Sequence, residues 1–243
     1  MPAIAWAPNA AVGPKPPPSP PGSLPRHPWA DMVARHVMVR VTPTAWSRVI
    51  AMRPDLAGDP LVVDWANAGN PLIARRHNSD DPAGLVPLGL PLPPAQGKRR
   101  ISVALSRDDI TSIAPPPLLA DAVTVAPVHW HASIHQFLAL SPATHVFGSL
   151  AWQYLTGLPY LAETSDLDLL WPLPPRDKLD ALLAGIAQIA ATAPMRIDGE
   201  IIGPLGGVNW RELRESGADE LLLKGQKEVR MVPRQAFLAG GAV

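Results

Sequence analysis

Cysteine is absent from the 243 residues, charged residues make up only 17%, and aromatic residues only 5%. Without cysteine there is no disulfide framework and no thiolate metal site, which fits a reducing compartment. The 21 basic and 21 acidic residues cancel. No bulk attraction to nucleic acid or to an anionic membrane is therefore built in, and an anionic ligand must be met by a local basic cluster. The most apolar helix candidate, 179–193, is too short and too interrupted to span a bilayer. The opening MPAIAWAPNAAVG lacks the charged start and continuous apolar stretch of a secretory signal. A soluble, cytoplasmic protein with neither nucleic acid nor membrane as partner is the expectation.

What is plentiful is proline, with 31 residues, about two and a half times the usual share. Residues 1–24, ending in GPKPPPSPPGSLP, have the composition of a disordered or polyproline II tail. From there the text changes. RHVMVRV alternates like a strand, and TPTAWSRVIA starts a helix with Thr44 as candidate cap. DPLVVDWANAGNPLIARRHN reads as two strands joined by a turn at 67–70, and ISVALS as another strand. These form a small α+β domain over 25–112, and IAPPPLLADAV looks like a proline-stiffened linker into a second domain at 113–243.

That second domain opens with a helical stretch around 119–138. It continues as strand (THVF), helix (SLAWQYLTG), strand (SDLDLLW) and helix (DKLDALLAGIAQIAAT), with further strands in MRIDGEII and ELLLKGQKEVRMVP. In the long helix Leu179, Leu182, Leu183, Ile186 and Ile189 make one apolar stripe. Strands and helices mix without a strict βαβ rhythm. The expected class is α+β, with a mixed sheet carrying helices on one side.

Chemistry concentrates in two places. Gly148 and Ser149 follow a strand and open a helix, where a missing Cβ and free backbone amides let a phosphate approach. In SDLDLL, side chains alternate, so Asp166 and Asp168 share one strand face while Leu167 and Leu169 face the core. Two carboxylates so placed repel unless they share a divalent ion. Asp198 in RIDGEII is the candidate third carboxylate and Glu200 the reserve, although Asp198-Gly199 also reads as a hairpin turn. The densest basic spots are Arg75-Arg76 and Lys98-Arg99-Arg100, with Arg211 and Lys224 as further phosphate-reaching candidates, Lys224 just before a turn at Gly225-Gln226. His129, His131 and His135 cluster without an acid among them and read as packing or surface histidines. The scattered tryptophans read as core or interface anchors.

A Gly-Ser, a helix, a loop and Asp-x-Asp on the next strand resemble the signature of the DNA polymerase β-like nucleotidyltransferases. The block FGSLAWQYLTGLPYLAETSDLDLLW resembles more narrowly the malonate decarboxylase holo-acyl-carrier-protein synthases, phosphoribosyl-dephospho-CoA transferases of the MdcG type. RHVMVRVTPTAW, PLIARR, GLPLPPAQGKRR, PPPLLADAV, DGEI, VNWREL, LLLKG and VPRQAFL resemble that family in the same order, over about 33–238. One departure is Val37, where an acidic residue is expected after Arg35-His36.

The resemblance implies an enzyme that moves a phosphoribosyl-dephospho-CoA unit from 2′-(5″-triphosphoribosyl)-3′-dephospho-CoA to a serine of the malonate decarboxylase acyl carrier protein, releasing pyrophosphate. It implies Asp166, Asp168 and Asp198 as catalytic and metal-binding carboxylates for Mg²⁺ or Mn²⁺. Gly148 and Ser149 would hold the triphosphate. Arg75, Arg76, Lys98, Arg99 and Lys224 would serve the donor or the carrier. Two other readings stay open: an adenylyltransferase acting on a small molecule or protein, and an inactive carrier-binding module.

Overall fold

The computed structural model describes residues 34–240 except 98, 216 and 218. The proline-rich tail of 1–24 lies outside the described residues, as does Lys98. The chain begins with strand β1 (Met38–Val41) and helices α1 (Pro43–Met52), α2 (Pro54–Ala57) and α3 (Pro60–Asn67). Strands β2 (Leu72–Ala74), β3 (Val86–Pro91), β4 (Arg100–Leu105) and β5 (Ile110–Ala114) follow. These five strands form one sheet in the order β4-β3-β2-β1-β5, antiparallel throughout.

Two expectations for this unit are corrected. The cap of α1 is Thr42, whose hydroxyl accepts from the Ala45 amide, and not Thr44, which lies inside the helix. The stretch 60–67 is helical and not a strand. Asp59 accepts from the Leu61 amide and Pro60 fills the first helical turn, where its missing N–H costs nothing. Within α3 the buried residues are Val62 and Trp65, three apart, which is a helical and not an alternating period.

After 115–117 the chain builds a second sheet. Its elements are α4 (Leu119–Ala122), α5 (His131–Leu140), β6 (His145–Phe147), α6 (Gly148–Thr156), β7 (Leu167–Pro172), α7 (Arg176–Thr192), β8 (Ile197–Gly203), β9 (Gly206–Asn209), α8 (Trp210–Arg214), β10 (Glu220–Lys224), β11 (Val229–Pro233) and α9 (Arg234–Leu238). The order is β11-β10-β9-β8-β7-β6; β7 and β8 run parallel and every other pair antiparallel. The α+β class and the mixed sheet are as expected.

Alternation then divides the second sheet into two faces. Leu167, Leu169 and Trp171 of β7, with Ile197 and Ile201 of β8, enter one core with Phe137 of α5 and the apolar stripe of α7. That stripe, Leu179, Leu182, Leu183, Ile186 and Ile189, is buried as its spacing predicts. Leu170 and Ile202 point the other way and join the core of the N-terminal sheet, together with Trp152 and Tyr160. Val37, the departure noted in the sequence, is fully buried in that core. The N-terminal unit thus covers part of the face on which Asp168 and Asp198 stand.

Candidate functional site

Backbone register assembles the site. Phe147 pairs with Asp168 across β6 and β7, and Asp168 pairs with Asp198 across the parallel β7 and β8. The two carboxylates therefore stand side by side on the face away from the α7 core. Asp198 and Gly199 lie inside β8, so they do not form the hairpin turn weighed from the sequence. A Cβ on Gly199 would fall 2.5 Å from the Leu169 carbonyl oxygen and 2.6 Å from the Trp171 ring, so this glycine serves close packing and not turning. The Oδ1 atom of Asp198 accepts from the Gly199 amide at 2.8 Å and from the Asn209 side chain at 3.1 Å.

Gly148 occupies the left-handed region at φ +63° as the chain turns from β6 into α6. A Cβ there would lie 1.9 Å from Asp168 Oδ2, so only glycine leaves the carboxylate its place. Among the described residues no side chain caps the first turn of α6, which keeps its amides available to a ligand. Ser149 is the second residue of this helix. The first amides of α6 and the Asp168 carboxylate thus lie together where an anion can meet both backbone donors and a bound cation.

Burial raises the Asp168 carboxyl, and the charges of Asp198 and Asp166 raise it further, to about 7. Asp166 is engaged elsewhere. Arg196 forks onto it, with Nε 2.9 Å from Oδ1 and the second guanidinium nitrogen on Oδ2. Among the described residues no three His, Cys, Asp or Glu side chains gather closely enough to cage a metal ion. The compact element of the site is therefore the pair Asp168–Asp198, with Asp166 tied to Arg196 beside it.

Glu200 plays a different part. It is buried, and it pairs with Arg35, with Lys224 at 2.9 Å, and with His36, whose Nε2 lies 3.5 Å away. Burial alone would raise its carboxyl, yet the His36, Arg35 and Lys224 partners together hold it down at about 2. His36, by contrast, is pushed below its ordinary value chiefly by burial. It adopts φ +75° and packs on Phe147, the residue before Gly148, with ring centroids 4.6 Å apart. Arg35 and His36 thus join the N-terminal unit to both β8 and the β6–α6 turn.

The other basic candidates are dispersed. Arg75 is paired with Asp81, its Nη1 2.8 Å from Oδ2, and Arg99 with Asp59 at 3.1 Å. Arg76 reaches the Gly225 carbonyl at 3.4 Å. Arg75-Arg76 and Arg99 do not make one free surface patch, because Asp81 and Asp59 compensate two of the three charges. Arg211 lies over the Trp210 ring at 4.3 Å and donates to the Ile197 carbonyl. His131 bonds the Ala126 carbonyl at 3.2 Å and lies edge-on to His135, with no acid between them. Sequence reasoning missed Arg196 and the Arg35–His36–Glu200 junction. The signal for Arg196 was the matching spacing of Asp166-Leu167-Asp168 and Arg196-Ile197-Asp198 on two strands that pair in parallel.

A helix N-terminus and a carboxylate pair at the junction of two sheets have the layout of a group-transfer enzyme. Two family models match: the phosphoribosyl-dephospho-CoA transferase MdcG N-terminal domain over 34–116 and its C-terminal domain over 118–235. A phosphoribosyl-dephospho-CoA transferase of Bradyrhizobium diazoefficiens is 41% identical over 211 residues, covering 85% of this chain and 92% of the relative. One from Xanthomonas campestris pv. campestris is 37% identical over 211 residues, covering 85% and 97%. No solved structure matches. The chain belongs to the phosphoribosyl-dephospho-CoA transferase MdcG family and is a transferase. Among the described residues no helix is long and apolar enough to cross a membrane.

Proposed function

We propose that the Asp168–Asp198 pair is the reacting centre at which a phosphoribosyl-dephospho-CoA group passes from 2′-(5″-triphosphoribosyl)-3′-dephospho-CoA to a serine of the malonate decarboxylase acyl carrier protein in the cytoplasm. The observation that carries this reading is the meeting of Gly148, Asp168 and Asp198 in register at the start of α6. Ser149 and the α6 amides hold the triphosphate. The carrier serine Oγ attacks the phosphorus nearest the ribose, a new O–P bond forms, and the bond to the departing pyrophosphate breaks. The serine proton passes to a carboxylate of the pair or to water. Asp198 is held for this step by its two hydrogen bonds, both on Oδ1.

The donor set fits a hard divalent cation, because it is all oxygen and its mutual repulsion is visible in the raised Asp168 carboxyl. Asp168 and Asp198 would hold Mg²⁺ (or Mn²⁺), and Asp166 would join them on release from Arg196. Bound there, the ion supplies charge neutralisation at the phosphoryl group and eases ionisation of the attacking hydroxyl. The binding elements on the N-terminal unit, including Arg76, serve the donor in this reading.

The test is donor choice, read as pyrophosphate release in the presence of carrier and Mg²⁺. Release with the triphosphoribosyl donor and none with ATP is expected. Release with ATP alone would establish adenylyl transfer instead, and release with neither would fit a carrier-binding module.

A further inference from the structure

Beyond Asp198, the next residue of β8 on the same face is Glu200, and cations gather around it. Arg35 comes from the chain just before β1, Lys224 from the end of β10, and both bond the Glu200 carboxylate. Arg76 arrives just after β2, donates to the Gly225 carbonyl, and opposes the charge of Arg35. The His36 Nε2 atom lies 3.5 Å from the Glu200 carboxylate, which is buried beneath its partners. Two cations therefore bond one carboxylate in a half-buried setting, with Arg76 close enough to Arg35 to oppose its charge. Such an excess is unfavourable unless an anion shares it.

Arg35 and Lys224 stand at an open cleft whose lining also includes Ala34, Gly206, Gln226 and Gly225, the residue to which Arg76 donates. Glu200 lies beneath Arg35 and Lys224 and fixes both by direct contact. That preorganises the donors toward a ligand instead of cancelling them, since one carboxylate cannot neutralise both cations.

We propose that this cleft is the subsite for the diphosphate bridge of the dephospho-CoA moiety. The inference rests on the transferase reading above. The donor carries two separate phosphate groups on one adenosine ribose: the triphosphate, through the 2′-linked ribosyl, and the 5′ diphosphate that leads to pantetheine. The first belongs at the start of α6 beside Asp168. The second needs its own cations on the same face, and the cleft around Arg35 and Lys224, with Arg76 beside it at Gly225, offers them one strand step beyond Asp198. Planar guanidinium and compact ammonium groups together suit a diphosphate. The subsite also gives the N-terminal unit a task, since it supplies both arginines while β10 supplies the lysine.

Isothermal titration calorimetry on the full chain with 3′-dephospho-CoA, and separately with inorganic pyrophosphate plus Mg²⁺, tests this directly. Lys224→Met and Arg76→Met should each weaken 3′-dephospho-CoA by about tenfold, the loss expected for one charge-assisted contact. Pyrophosphate should bind them as it binds the unchanged protein, and Lys224→Arg should keep most of the affinity. Pyrophosphate weakened with 3′-dephospho-CoA unaffected would place the leaving group in the cleft and overturn the proposal. Loss of neither, or no binding of 3′-dephospho-CoA by the unchanged protein, would leave only an internal ion cluster and overturn it as well. Should Lys224→Met fail to fold, Arg76→Met decides, since Arg76 meets the junction through the Gly225 backbone carbonyl and carries no ion pair to Glu200 among the described residues. Because binding is read without turnover, these outcomes stand apart from a failure of the transferase reading, which would appear as an unmodified carrier.

Discussion

Asp168→Asn should abolish carrier modification, by at least about a thousandfold, while raising the melting temperature measured without Mg²⁺ at pH 8. Both effects have one cause. The carboxyl is held at about 7 by burial first and then by Asp198 and Asp166, so folding the ionised form costs free energy. The sign follows from the raised value. Below about pH 4 the side chain is protonated both folded and unfolded, and the substitution gains nothing. As pH rises toward 7 the unfolded chain ionises first, and the native protein loses relative stability until the folded carboxyl ionises too. The stabilisation by Asp168→Asn should therefore be absent near pH 4, grow through pH 5–7 and level off above it. At about 2–4 °C per kcal/mol for a domain of this size, several degrees are expected. Mg²⁺ should raise the melting temperature of the unchanged protein at pH 8 and not that of the variant. Asp198→Asn should share the loss of activity. Glu200→Gln should instead lower the melting temperature, because it leaves Arg35 and Lys224 without their buried partner. A gain for Asp168→Asn that is equal at pH 4 and pH 8 would contradict the electrostatic account.

Gly148→Ala should cost more than any other single methyl added near the site. The residue sits at φ +63°, where a non-glycine backbone loses about 1–3 kcal/mol, and the new methyl would meet Asp168 Oδ2 at 1.9 Å. Either the carboxylate or the start of α6 must move, and a displacement of about 1 Å in a reacting group can cost a hundredfold in rate. The expected result is transfer reduced by about a hundredfold or more, with a lowered melting temperature. In the Asp168→Ala background the same substitution should destabilise less, because the obstructing carboxylate is gone. A full and equal destabilisation in both backgrounds would assign the whole effect to backbone strain.

Much of this arrangement was legible in the residues. The spacing of the α7 stripe predicted a buried helix face, and alternation in SDLDLL put Leu167 and Leu169 in the core. What alternation could not supply was partner register. Whether Asp198 or Glu200 stands beside Asp168 depends on β7 and β8 pairing in parallel, and the register pairs Asp168 with Asp198 and Leu170 with Glu200. The pair Asp198-Gly199 looked like a turn because glycine permits one. In the fold that glycine makes room for the Leu169 carbonyl and the Trp171 ring, a contact between elements that no local pattern encodes. The segment 60–67 misled for the opposite reason: its valines favour strands, but Asp59 and Pro60 start a helix first. Basic residues were countable, yet their availability was not, since Asp81 and Asp59 claim Arg75 and Arg99 from a distance in sequence or across the fold. Arg35 drew no notice as a ligand residue because its meaning arises only where the two sheets meet at Glu200.

The most direct measurement is the intact mass of the acyl carrier protein of malonate decarboxylase after incubation with this protein, Mg²⁺ and 2′-(5″-triphosphoribosyl)-3′-dephospho-CoA. The account predicts a mass increase of one phosphoribosyl-dephospho-CoA group on a single serine, matched by one pyrophosphate released. The increase should be absent with chelator and absent with Asp168→Asn. A carrier that gains the group equally well with folded Asp168→Asn would contradict the assignment of the reacting centre, and a carrier left unmodified by the unchanged protein would contradict the transfer itself.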